Sequence, residues 1–469
     1  MSNFFQKILR REDPRVYQDK DSHLMRTLRV RDVMALGIGT FVSTSIFTLP
    51  GIVAATHTGP AVALSFLFAA IVAGLVSFAY AEMASAMPFA GSAYSWINVV
   101  FGELFGWVAG WALLAEYFIA TAFVASGFSA NLRGLISPLG IKLPDALSNT
   151  FGNQGGIIDI VAAIVILLTA LLLSFGLSEA ARIENILVVL KVLAIGLFIV
   201  VGLTVIKLDN YVPFIPEYKM TDAGAFGGWQ GIYAGVSMIF LAYIGFDSIA
   251  ANSAEAINPQ RTMPRGILGS LLVAVALVLV GMFHYSEYAN NAEPVGWALR
   301  ESGFDVVAVI VQAISVIGMF TALIGMMLAG SRLLYSFGRD GLLPSWLGKL
   351  NDKHLPNRAL VTITTIAVII GSMFPFEFLA QLISAGTLIA FMFVSIGVLA
   401  LRRREGKDIP VPAFKMPLFP VLPILGFISV IFVFWGLSTE AKIYTAFWFL
   451  FGLIIYFVYG LHHSKKHLR

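Results

Sequence analysis

The stretch Val33–Gly51, VMALGIGTFVSTSIFTLPG, decides how this chain is read. It is apolar and long enough to cross a bilayer, but its centre is unsuited to a plain anchor. Gly37 and Gly39 weaken a helix, and Ser43, Thr44 and Ser45 then stand in a row at membrane depth. Glycine costs helix stability, and serine and threonine bond to nearby backbone in competition with the helical ladder. In hydrocarbon, backbone groups released from that ladder need partners within the protein or a polar cavity. The stretch therefore reads as a spanning helix that opens in its middle.

Working outward, no Asp, Glu, Lys or Arg occurs between Val33 and Ala81, enough for two spans at about 20 residues each. Over all 469 residues only 12% are charged and mean hydropathy is +0.84. Soluble domains carry about 25% charged residues, so the chain reads as an all-α polytopic membrane protein. Helices are expected because the apolar runs lack the short alternation of barrel strands. Some thirty mostly polar residues precede the first run, which is itself too long for a signal peptide.

Apolar runs follow at about 33–53, 61–84, 103–128, 157–177, 185–206, 228–252, 266–287, 306–336, 359–376, 378–401, 418–438 and 443–462. Twelve spans put both termini on one side. With that side cytoplasmic, 24 Lys/Arg fall inside and six outside, with Lys191 inside span 5. This is the bias of a multi-pass protein with cytoplasmic termini. Net charge of +4 then reflects topology and gives no reason to expect a nucleic-acid partner. With no cysteine, disulfides and thiolate metal sites are excluded. All seven histidines lie near expected membrane edges or outside, so none is expected to be a buried ligand, and no metal or cofactor is expected.

Three charges lie at membrane depth, where ionisable groups are expensive and mark function. Lys191 sits about six residues into span 5, within ILVVLKVLAIGLF. It either snorkels or is held within the bundle, where burial would suit it to carry a proton. Glu116, in GWALLAEYFIATAF, reads equally as a proton site or as a neutral carboxyl joining helices. Asp247 lies in IFLAYIGFDSIAANSAEA, a second interrupted span with Gly245, Ser248, Asn252 and Ser253. Glu82, Glu179, Glu184 and Glu255 fall near cytoplasmic ends, where a solvated or loop-bonded carboxylate is expected. Interrupted helices in spans 1 and 6, five apart, point to an inverted-repeat transporter with a midplane site. Half-helix N-termini suit a carboxylate and half-helix C-termini a cation, so a zwitterion suits the site.

Five segments then carry a resemblance: ALGIGTFVSTSIF, MPFAGSAYSW (Met87–Trp96), AYIGFDSIAANSAEAINPQRTMPRG (Ala242–Gly266), LAGSRLLYSFGRDGLLP (Leu328–Pro344) and LISAGTLIAFMFVSIGVLALRRR (Leu382–Arg404). Together they resemble the amino acid–polyamine–organocation superfamily, in the branch of the cationic amino acid transporters and their bacterial relatives. The resemblance implies a 5+5 inverted repeat with discontinuous helices 1 and 6, plus two added helices. Residues 1–32 would be a cytoplasmic segment, 33–206 repeat 1, 228–404 repeat 2, and 405–469 helices 11 and 12 with a cytoplasmic tail.

It further implies that Val42, Ser43, Thr44 and Ser45 hold a substrate carboxylate, and that carbonyls of Leu241, Ala242 and Ile244 hold its ammonium. Lys191 matches a helix-5 lysine standing where sodium-coupled relatives bind sodium, and Glu116 matches an acidic helix-3 residue with a proton-coupling role. The sequence departs from the pattern where Ser43 and Ser45 replace two glycines. The gating aromatic of helix 6 aligns with Leu241, with Phe240 beside it.

The expected function is proton-coupled import of neutral L-amino acids across the plasma membrane. Met319, Phe320, Leu323, Met326 and Met327 on span 8, with Phe118, Ala120 and Phe123 on span 3, favour hydrophobic, branched-chain substrates. A cationic substrate, an exchanger and a non-transporting amino acid sensor are the alternatives. No HExxH, GxSxG or GxxxxGK[ST] motif points to an enzyme.

Overall fold

The computed structural model describes residues 8–21, 44–89, 91–151, 155–175, 177–243, 269–289, 291 and 293–465. Its described residues are helical apart from one short hairpin and the connections. In chain order, α1 is Pro14–Asp21, α2 Thr44–Phe47, α3 Leu49–Val53, α4 Val62–Ala86, α5 Ala93–Val100 and α6 Glu103–Ile136. Then come α7 Asp145–Ser148, α8 Ile160–Phe175, α9 Leu177–Leu203, α10 Gly228–Ile239, α11 Gly269–Met282 and α12 Pro294–Glu301. The remainder are α13 Asp305–Asp340, α14 Asn357–Met373, α15 Phe376–Arg404, α16 Val421–Trp435 and α17 Thr439–Ile455. Strands β1 (Lys219–Thr221) and β2 (Gly224–Phe226) pair antiparallel, Lys219 opposite Phe226.

Among the described residues, six helical stretches are long and apolar enough to cross a membrane, and four further apolar helices are shorter. Every apolar run read from the sequence contains a helix, and the ends that fall within the described residues are shifted by a few residues. The longest shifts are at the end of α6 and the start of α9. The 34 residues of α6 measure about 50 Å at 1.5 Å per residue, well beyond a 30 Å hydrocarbon layer. Terminal charges match the helix dipole: Glu103 and Asp305 stand in the first turns of α6 and α13, and Arg133 and Arg339 in the last.

The two long helices form the centre. The most apolar window of Glu103–Leu139 is 89% buried, against 22% for Thr439–His463 at the C-terminus. Helix α6 packs on α13, α15, α14 and α5, and α9 packs on α13. Helices α16 and α17 turn Ile428, Phe432, Trp435, Phe447 and Phe451 outward. An outward apolar surface of this kind fits a lipid-facing rim.

The N-terminal segment and Ser464 meet the same face of the bundle, called here the terminal face. It gathers the end of α4, the start of α6 and the ends of α13 and α15. Tyr456 and Ser464 donate to the Glu103 carboxylate there, at 3.0 and 2.5 Å.

Candidate functional site

The serine-rich centre of the first span enters the described residues at Thr44. Val42 and Ser43 lie outside them, as do Ile244, Asp247 and Glu255. From Thr44 the span is not one rod. A single turn, α2, ends at Phe47, and α3 starts at Leu49 with Pro50 in its first turn. Thr48 between them is buried and leaves helical geometry at φ −120°. Proline lacks an N–H and is tolerated only in a first helical turn, which accounts for the break at this point. Ser45, Ile46 and Phe47 are all buried.

This broken turn lies against α6, α13 and the 3₁₀ turn Phe240–Tyr243. That 3₁₀ turn ends the described part of span 6, where α10 tightens after Ile239. Leu241 and Ala242 are buried in it. Phe240 is edge-on to Phe391 of α15 at 5.9 Å, and the Tyr243 hydroxyl donates to the Phe66 carbonyl at 2.7 Å. Two of the sequence-derived segments, Thr44–Ser45 and Leu241–Ala242, are thus brought side by side.

Lys191 does not snorkel. Leu190, Val192 and Leu193 are exposed on the outside of α9, while Lys191 is wholly buried against α13. Its Nζ donates to Thr321 Oγ1, which itself donates to the Gly318 carbonyl at 2.7 Å. A Cβ on Gly318 would come within 2.6 Å of the lysine Cε, so this glycine makes the channel in which the stem lies. Glu116 is also wholly buried, and its backbone lies against Gly386 of α15.

Of the apolar candidates for a side-chain pocket, Met319, Leu323, Met326, Met327, Ala120 and Phe123 are buried between the central helices. Phe118 stands apart from them. It lines a lateral cavity of about 450 Å³ together with Ile370, Phe378, Leu382, Tyr444 and Trp448.

Two edge residues differ in weight from their sequence reading. His57, expected near a membrane edge and not as a buried ligand, is buried: the helix widens to a π turn at Ala54–Thr58 and the β hairpin covers it. Its Nδ1 pairs with the Ala225 carbonyl at 3.0 Å. Glu82 is loop-bonded as expected, but wholly buried. It accepts from Arg402 of α15 and, at 2.7 Å, from the Met416 amide. A partner 320 residues away leaves no local mark in the sequence.

Reasoning from spans also missed α5 and the Tyr17 cluster described below. Among the described residues no group of three His, Asp or Glu could hold a metal ion.

Long apolar helices around buried ionisable groups, with the broken turn of span 1 beside the 3₁₀ turn Phe240–Tyr243, are the architecture of a polytopic membrane protein. The profile of the Amino acid permease family matches residues 28–459, and the chain belongs to that family: it is a transporter and not an enzyme. It is 62% identical to the branched-chain amino acid permease BcaP of Lactococcus lactis subsp. cremoris (strain MG1363), over 98% of this chain and 99% of the relative. It is 36% identical to the methylthioribose transporter of Bacillus subtilis (strain 168), over 95% of this chain and 96% of that one. A second branched-chain amino acid permease BcaP, from Bacillus subtilis (strain 168), is 34% identical over 95% of both chains.

Proposed function

We propose that this permease imports branched-chain L-amino acids together with protons across the cell membrane. The observation that carries the substrate is the 62% identity, over nearly full length, to a branched-chain amino acid permease. The buried Met319, Leu323, Met326 and Met327 on α13 support it, since flexible methionines fit aliphatic side chains of differing shape.

In this reading the chain has twelve spans in a 5+5 inverted repeat with two added helices, divided at 33–206, 228–404 and 405–469. Both termini are cytoplasmic. The amino acid lies between the broken turns of spans 1 and 6. Val42, Ser43, Thr44 and Ser45 hold its carboxylate, carbonyls of Leu241, Ala242 and Ile244 hold its ammonium, and Phe240 or Leu241 closes over it. Lys191 and Glu116 carry the coupling. A coupling proton does work only by favouring one conformation over another. Lys191 can do so because its charge state sets how strongly its bond to Thr321 joins α9 to α13.

The test is reconstitution in liposomes with an imposed pH gradient, without sodium, against leucine, isoleucine, valine, arginine and methylthioribose. Uphill uptake of the three branched-chain amino acids, collapsing with the gradient, is expected. Preference for arginine or methylthioribose would contradict the substrate, and gradient-independent uptake the coupling. Uptake only into vesicles preloaded with amino acid would make the protein an exchanger.

A further inference from the structure

The N-terminal segment before the first span is polar, yet Ile8, Pro14 and Tyr17 of its described residues are buried. Ile8 is 6% exposed and Tyr17, on α1, is wholly buried. The Tyr17 ring stacks on Phe89 at 5.3 Å, and the Arg339 guanidinium stands over the same ring at 5.2 Å. Its hydroxyl accepts from Asn98 Nδ2 of α5 at 2.7 Å and donates to Asp340 Oδ2 of α13 at 3.2 Å. The same carboxylate accepts from Tyr94 at 2.7 Å and pairs with Arg339 at 3.1 Å. Just before α1, the Leu9 backbone presses on Gly102, the N-cap of α6. There φ is +110°, and a Cβ would meet the Leu9 carbonyl oxygen at 2.6 Å. One short segment is therefore fastened to α5, to the start of α6 and to the end of α13.

We propose that α1 is a latch that closes the terminal face of the permease and releases in each transport cycle, with Tyr17 as the residue that holds it. The proposal rests on the alternating-access reading above. Helices α6 and α13 are the central pair, and any opening between their ends on this face separates groups that the segment joins. The fastenings suit a reversible device. They are a few hydrogen bonds and one ring stack on a segment outside the spans, and each is modest in net strength. Burial, reinforced by the Asp340 carboxylate, pushes the Tyr17 phenol well above its usual range, so it stays a donor across physiological pH.

The chain has no cysteine, so pairs can be introduced cleanly. Tyr17→Cys with Asn98→Cys would be joined by a short bis-methanethiosulfonate and released with dithiothreitol. The expected result is that the joined protein still binds leucine, takes it up at least tenfold more slowly than the released protein, and recovers on reduction. Equal rates with and without the bridge would overturn the latch. Wild-type vesicles run alongside: no uptake there contradicts the transport reading instead.

A milder variant, Tyr17→Phe, keeps the ring on Phe89 and loses the hydroxyl's bonds, those to Asn98 and Asp340 among them. With Ser336→Cys as reporter, wholly buried on α13 one turn before Asp340, maleimide labelling should be about fivefold faster in Tyr17→Phe. Unchanged labelling would count against Tyr17 as the holding residue.

Discussion

Lys191 of α9 donates to Thr321 of α13, and Gly318, one turn before the threonine, leaves the space its stem fills. A buried ammonium needs a fixed partner, and here that partner sits on the central helix beside which the broken turn α2 packs. The relationship gives the coupling proposal its mechanical content: whatever alters the lysine's charge alters the joint between these two helices.

Gly318→Ala tests the joint without touching a charge. The new methyl would meet Lys191 Cε at 2.6 Å and Cγ at 2.9 Å, so the stem must move. Overpacking of this kind costs ~1–3 kcal/mol. Proton-driven uptake is expected to fall on the order of tenfold, while leucine binding in detergent changes far less. Uptake at the wild-type rate would mean that the lysine position is not critical.

Ser45→Gly addresses the substrate end. Ser45 is buried in α2, where the family resemblance implies glycine. Removing its Cβ and hydroxyl should change leucine affinity severalfold or admit a different range of side chains in competition assays. Ser43→Gly, made separately, is expected to act in the same direction. If neither changes affinity or range, the serines only pack, and the carboxylate lies elsewhere.

The Glu82–Arg402 pair concerns stability. Glu82 is wholly buried, so Arg402→Ala leaves a buried carboxylate without its charge partner. Breaking such a pair costs ~3–5 kcal/mol, whereas neutralising both partners costs less. The melting temperature in detergent should drop sharply for Arg402→Ala and recover in part when Glu82→Gln is added. A double variant no more stable than Arg402→Ala would contradict this account of the pair.

Glu293 gives a pH dependence on the opposite face. It pairs with Arg300 of α12 at 2.6 Å, accepts from Gln312 of α13, and faces Arg133 at the end of α6. Burial outweighs these cations and pushes the carboxyl up from 4.5 to about 7. The folded state thus holds this proton more tightly than the unfolded state. Its stabilising effect is full below about pH 4.5 and is lost as pH rises through about 7. Glu293→Gln should therefore melt progressively higher relative to wild type between pH 5 and 8. A difference that stays constant over that range would refute the assignment.

The spans were legible because hydrocarbon forces long apolar runs, and no tertiary knowledge is needed to see them. Lys191 and Glu116 were legible as residues out of place for the same reason. Lys191's role against α13 was not, since the lysine stem needs Gly318 opposite, and a glycine in span 8 carries no such message on its own. Tyr17 and Glu82 were hidden for another reason. Their value lies in partners more than 300 residues away, Asp340 and Arg402, and sequence periodicity reports only local geometry. His57 was misjudged because a π turn and a hairpin, neither visible as a pattern, cover what hydropathy places at an edge.

The most direct measurement of the central claim is leucine accumulation in proteoliposomes driven by a pH gradient, for wild type and Lys191→Ala. The expected result is uphill accumulation by wild type and, for the variant, at most equilibration, with leucine binding retained. Accumulation by Lys191→Ala to the wild-type level would contradict the account.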